Sequence, residues 1–144
     1  MSREDIARQW LSIASKDLEV AELTHNNGYW LYAAFLCHQA LEKTLKAYYV
    51  ATHDDDPPYT HSHMRLLSVC GLDGEVSDTH LRFVDFMVPM YIKARYPEQK
   101  VLAARSLNKD TSIYILETTK QLTQWIIQHL PNNRPLTTSE PTNE

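Results

Sequence analysis

From Trp30 to Tyr49 the apolar positions recur at helical spacing. Placed at about 100° per residue, Ala34, Cys37, Leu41, Leu45 and Tyr48 form one stripe. Gln39, Glu42, Lys43 and Lys46 form the opposite stripe, and His38 and Glu42 stand one turn apart at a border between the two. The pattern predicts a long amphipathic helix to about Ala51, with one face buried and ionisable groups at its rim.

The same periodicity predicts four further helical stretches. Ser2 to about Thr24 is the first, capped by Ser2 with Asp5 three residues on. Ile6, Trp10, Ile13, Ala14, Val20 and Ala21 share its expected inner face, with Asp17 near the centre. A carboxylate there needs a cation or donor from another helix or another chain. His25-Asn26-Asn27-Gly28 reads as a stop and tight turn, so the first two helices form an antiparallel hairpin. Thr52 to Thr60, with Pro57-Pro58, is a loop. His63 to Cys70 is a short helix with Met64, Leu66 and Leu67 turned inward. A further helix, capped by Ser77 or Asp78, carries Leu81, Val84, Met87, Met90 and Tyr91, and Pro89 is expected to interrupt it. Its second half stops at Pro97, and Glu98 to Leu107 is loop or short turn. Asn108 or Asp110 caps the last helix, which runs to about Leu130. Leu116, Thr119, Thr123, Ile126, Ile127 and Leu130 form its inner face. Tyr114, Leu122 and Trp125 lie on another face, which suggests contacts beyond one hairpin. Residues 1–130 make one helical domain, and the polar residues 131–144, with three prolines, a disordered tail.

Composition narrows the function classes. The formal charge is −4, so no global basic field draws in nucleic acid, and any such contact needs a local patch. Two cysteines are too few for a disulfide scaffold. No basic segment followed by an apolar core opens the sequence, and no apolar run approaches the roughly 18 residues of a membrane span. A cytoplasmic protein without membrane contact is expected. His53, Asp54, Asp55, Asp56, His61 and His63 are metal-ligand types. Their order matches no zinc spacing, so a solvated loop and no metal are expected.

Certain residues together resemble a known family. The first helix carries W-x3-A-x2-D-L-x2-A (Trp10, Ala14, Asp17, Leu18, Ala21). The second carries Tyr32 and then H-Q-A-x-E-K-x-L-K-A from His38 to Ala47. A histidine-bearing loop, the segment Y-x3-R-Y-P (Tyr91, Arg95, Tyr96, Pro97) and a C-terminal helix follow. Over about residues 5–130 this is similar to the HEPN domain family, the higher eukaryotes and prokaryotes nucleotide-binding domain. The resemblance implies an all-α, antiparallel up-and-down bundle of four to five helices, often a homodimer. It also implies a minimal nucleotidyltransferase partner, often within a toxin–antitoxin pair. Catalytic members are metal-independent ribonucleases with an Arg-x4-6-His motif at the dimer cleft.

That motif is absent. None of Arg3, Arg8, Arg65, Arg82, Arg95, Arg105 and Arg134 has a histidine five to seven residues downstream. The family's arginine falls on Arg95, which Lys100, Val101 and Leu102 follow where a histidine would be needed. Metal-free RNA cleavage needs a base for the 2′-hydroxyl and an acid or cation for the phosphorane. An arginine supplies charge but shuttles no proton near neutrality. The expected site is therefore a ligand-binding one: Arg95 with Tyr91 and Tyr96 for a phosphate and a stacked base or ribose, and Lys43, Lys46, Glu42, His38 and Asp17 from the first two helices. Arg95 paired with Asp17 or Glu42 as a lock on the bundle is the structural alternative. A divergent ribonuclease would take Arg95 together with His38, His61 or His63, and a non-enzymatic interaction module would use the polar seam only for dimer geometry.

Overall fold

The computed structural model of the chain describes residues 1–93, 96–98 and 106–131. Five helices, and no strand, occur among them: α1 (Arg3–Asn26), α2 (Trp30–Thr52), α3 (His63–Val69), α4 (Asp78–Lys93) and α5 (Lys109–Gln128). The expected tail falls almost wholly outside the described residues, as does most of the stretch expected to be loop after Glu98.

Local chemistry fixes the helix starts. Ser2 Oγ accepts from the Asp5 N–H at 3.1 Å and Asp5 Oδ2 accepts from the Ser2 N–H at 3.1 Å, a reciprocal box that satisfies two otherwise orphaned donors. Ser62, Ser77 and Asn108 accept in the same way from the N–H groups of Arg65, His80 and Thr111. Gly28, at φ +82°, makes the left-handed turn that lets α2 fold back on α1.

The hairpin closes on alanines. Ala7, Ala14 and Ala21 recur every seventh residue of α1, and Ala33, Ala40 and Ala47 do so on α2; all six are buried. Ala7 and Ala47 share one apolar cluster with Leu11, Val50 and Leu130. Side chains without bulk let the two backbones approach closely. The inner face of α1 is therefore turned by one residue from the expected one: Ile13 and Val20 are exposed, while Leu11, Ala14 and Ala21 face in.

α2 packs on every other helix. Glu42, expected at the rim of the buried face, lies inside it, together with Ala40, Leu41, Thr44 and Leu45. Other details also differ from expectation. Met64 points out while Leu66 and Leu67 enter the core. α4 runs through Pro89 without ending. Leu122 lies in the core, and Tyr114, itself still exposed, meets Phe83 and Phe86 of α4 edge-on at 5.6 and 5.7 Å. No described helix is long and apolar enough to cross a membrane.

Enlarging a buried alanine tests this packing. Ala40→Leu is expected to destabilise by about 1–3 kcal/mol through overpacking, whereas Ile13→Ala, on the exposed side, should stay within about 0.5 kcal/mol of the parent. Urea denaturation of both variants measures the difference.

Candidate functional site

A line of polar and aromatic side chains crosses α2 from α1 to α4. At the α1 end, Lys46 Nζ stands 5.8 Å from the Trp10 ring centroid, within cation–π reach. The same ammonium donates to Glu42 Oε2 at 2.8 Å, one turn earlier on α2. His61, from the loop ahead of α3, places Nδ1 at 3.1 and 3.2 Å from the two Glu42 oxygens. An ionised carboxylate only accepts, so Nδ1 must donate. In the neutral ring Nε2 is then an acceptor, and it lies 3.2 Å from the Tyr91 hydroxyl of α4. The two rings also stack, with centroids 4.3 Å apart. Phe35 and His38 border Tyr91 at 6.0 and 5.6 Å.

Burial sorts these groups. The Glu42 and Lys46 side chains are 6 % and 11 % exposed, which makes them an interior ion pair, whereas His61 keeps 41 % of its side chain accessible. A solvent molecule or ligand therefore reaches this line through His61 and Tyr91. The arrangement carboxylate–imidazole–phenol is able to hold a ring in one orientation and pass a proton along it.

The other two histidines do different work. His63 Nε2 lies 3.0 Å from the His38 carbonyl oxygen and donates to it, tying the first turn of α3 to α2. The two rings pack at 4.0 Å. Burial lowers His38 to about 2, helped by the charges that His63 and His61 would carry. Burial likewise lowers His63 to about 4, against the opposing pull of its bond to the His38 carbonyl and of Glu42. Neither ring serves as a proton carrier near neutrality. Cys37 and Cys70 are pushed up to about 12 by burial and are not nucleophiles.

The remaining expected site residues separate. Asp17 is met by Lys43 at 2.7 Å, a cation from the neighbouring helix as its position demanded, and that pair lies on the α1 side of α2. Tyr96 is exposed just beyond α4. Arg95 lies outside the described residues. From the sequence, His61 stands out only as a metal-ligand type and a ribonuclease alternative, Asp55 only as a metal-ligand type, and Tyr49 not as a site residue. His61 stands nineteen residues from Glu42, and no helical periodicity links a loop residue to a helix face. A separate groove of about 370 Å³ between α1 and α5, floored by Leu11, Ala14 and Thr44, shares no residue with the line.

The buried imidazoles predict a pH dependence. Each folded-state value lies below the ordinary 6.5, so the unfolded chain binds more protons in the interval between. Stability is complete above about 6.5 and declines as pH falls, through about 4 for His63 and further for His38. Each ring contributes about 1.4 kcal/mol per pH unit within its window. Urea unfolding at neutral and at mildly acidic pH should show this slope, and His63→Gln should flatten it by about half.

Among solved structures, the crystal structure of TT1696 from Thermus thermophilus is similar to the chain, with a TM-score of 0.73 and 24% identity, over 88% of this chain and 97% of that one. At that identity the likeness concerns the fold. No curated protein matches. The HEPN domain model matches residues 7–130, nearly the whole helical part. The chain belongs to the HEPN domain family.

Proposed function

We propose that this HEPN protein is the nucleotide- or partner-binding component of a pair formed with a minimal nucleotidyltransferase, of the toxin–antitoxin type, and that it lacks the standard ribonuclease motif. The observation that carries the reading is the Glu42–His61–Tyr91 line, which leaves an oriented imidazole and a phenol ring accessible at one edge of the bundle. Tyr91 and Phe35 offer faces for a base or ribose, and His61 offers a hydrogen bond. Arg95 follows Tyr91 by four residues in sequence and is the proposed phosphate ligand, with Tyr96 beside it. Lys43 is paired with Asp17 and Lys46 with Glu42, so in this reading Lys46 holds the line in place, Lys43 ties α2 to α1, and neither meets the ligand. In this reading the protein acts in the cytoplasm as a homodimer, without metal or cofactor.

A second reading, a divergent metal-independent ribonuclease, is favoured by one feature: His61 has the carboxylate-oriented geometry of a general base. In that reading it replaces the histidine missing downstream of Arg95 and acts on RNA.

Thermal unfolding with added ATP, AMP or a short single-stranded RNA separates these readings. Ligand at about 100 times its Kd stabilises by about 2.7 kcal/mol, which for a chain of this size raises Tm by about 5–10 °C. Arg95→Ala and Tyr91→Ala should abolish the shift. RNA cleavage that disappears in His61→Ala establishes the ribonuclease instead. No shift with any nucleotide, no cleavage and no co-purifying nucleotidyltransferase would leave a plain interaction module and refute both readings.

A further inference from the structure

His61 reaches Glu42 from a ten-residue connection, residues 53–62, between α2 and α3. The exit of this connection is well held. Ser62 caps α3, the Thr60 hydroxyl accepts from the Ser62 N–H at 3.1 Å, and His63 donates to the His38 carbonyl. The entry is held by a separate set of contacts around Asp55. The buried Tyr49 donates its hydroxyl to both Asp55 carboxylate oxygens at 2.9 Å. Arg3, from the first turn of α1, donates Nη2 to the Asp55 carbonyl at 2.6 Å and Nε to the Val50 carbonyl at 3.1 Å. Val50 is in the last turn of α2, where carbonyls lack helical partners, so the guanidinium also satisfies the helix end. His53 stacks flat on Tyr49, with rings 4.0 Å apart and 4° from parallel.

Between entry and His61 stand Pro57 and Pro58, whose rings fix φ and favour an extended rise of about 3.1 Å per residue. A displacement at Asp55 is therefore carried along the connection instead of being absorbed near it. We propose that Asp55 and Tyr49, braced by Arg3, are positioning residues that set where His61 meets Glu42. This inference rests on the reading that His61 belongs to the site. The raised Tyr49 value, caused first by its bond to Asp55, accords with a phenol that keeps its proton for this bond.

The test reads the His61 imidazole directly by ¹⁵N NMR on the full chain at about pH 8.5, where an ordinary histidine is neutral. The parent protein should show the Nδ1–H tautomer, because Glu42 can only accept. Tyr49→Phe and Asp55→Ala should both move His61 toward the Nε2–H form that unrestrained imidazoles favour in water, while their amide spectra stay dispersed. Asp55→Asn, whose amide oxygen still accepts from the Tyr49 hydroxyl, should keep the parent tautomer. His61 signals unchanged in both Tyr49→Phe and Asp55→Ala would overturn the positioning role. A parent protein already in the Nε2–H form, or one in which Glu42→Ala, which removes the acceptor, leaves His61 unmoved, would instead refute the Glu42–His61 contact and with it the site.

Discussion

A carboxylate sits in the middle of the bundle. Glu42 is on the helix that every other helix packs against, and its side chain is 6 % exposed. An ionised carboxylate without partners in such a place would cost several kcal/mol. Lys46 meets one oxygen, and His61 approaches both. The second partner comes from a loop, so the loop must return to α2, and the ring it delivers then meets Tyr91 on α4. One buried charge thus couples α2, the loop and α4.

The alanine seam is what places α2 at the centre. Side chains of minimal bulk on both helices draw α1 against one flank of α2 and leave the other flanks to α3, α4 and α5. The two lysines of α2 then divide. Lys43 pairs with Asp17 across the hairpin, and Lys46 pairs with Glu42 along its own helix while lying near Trp10. Neither is a surface lysine available for general electrostatic attraction. In the proposed reading, recognition at this edge would therefore depend on aromatic faces and directional hydrogen bonds more than on charge from α2.

Much of the fold was legible because helical signals are local. Ser2 with Asp5, Asn108 and Gly28 marked their boundaries through side chains or backbone freedom within a few residues. Asp17 on an apolar face implied a cation, and Lys43 supplies it. Three things were less legible. A helical wheel assigns Glu42 to a polar rim because it takes no account of how many helices surround α2. The inner face of α1 was misjudged because Ile13 and Val20 outweigh alanines on any hydrophobicity scale, although the alanines permit the closer approach. His61, Tyr49 and Asp55 meet their partners through a loop whose path depends on two prolines and an arginine from α1. Nothing periodic in the sequence encodes that path.

The family assignment and the polar line rest on different observations. The first rests on the match over residues 7–130, and the second on the contacts of Glu42. The most direct test of the second is a double-mutant cycle on Glu42→Ala and His61→Ala, each of which removes its side of the bond, followed by urea unfolding. A charge-assisted hydrogen bond of this kind predicts a coupling of about 1.5–3 kcal/mol. Additive single-variant effects, with no coupling beyond about 0.3 kcal/mol, would contradict the account.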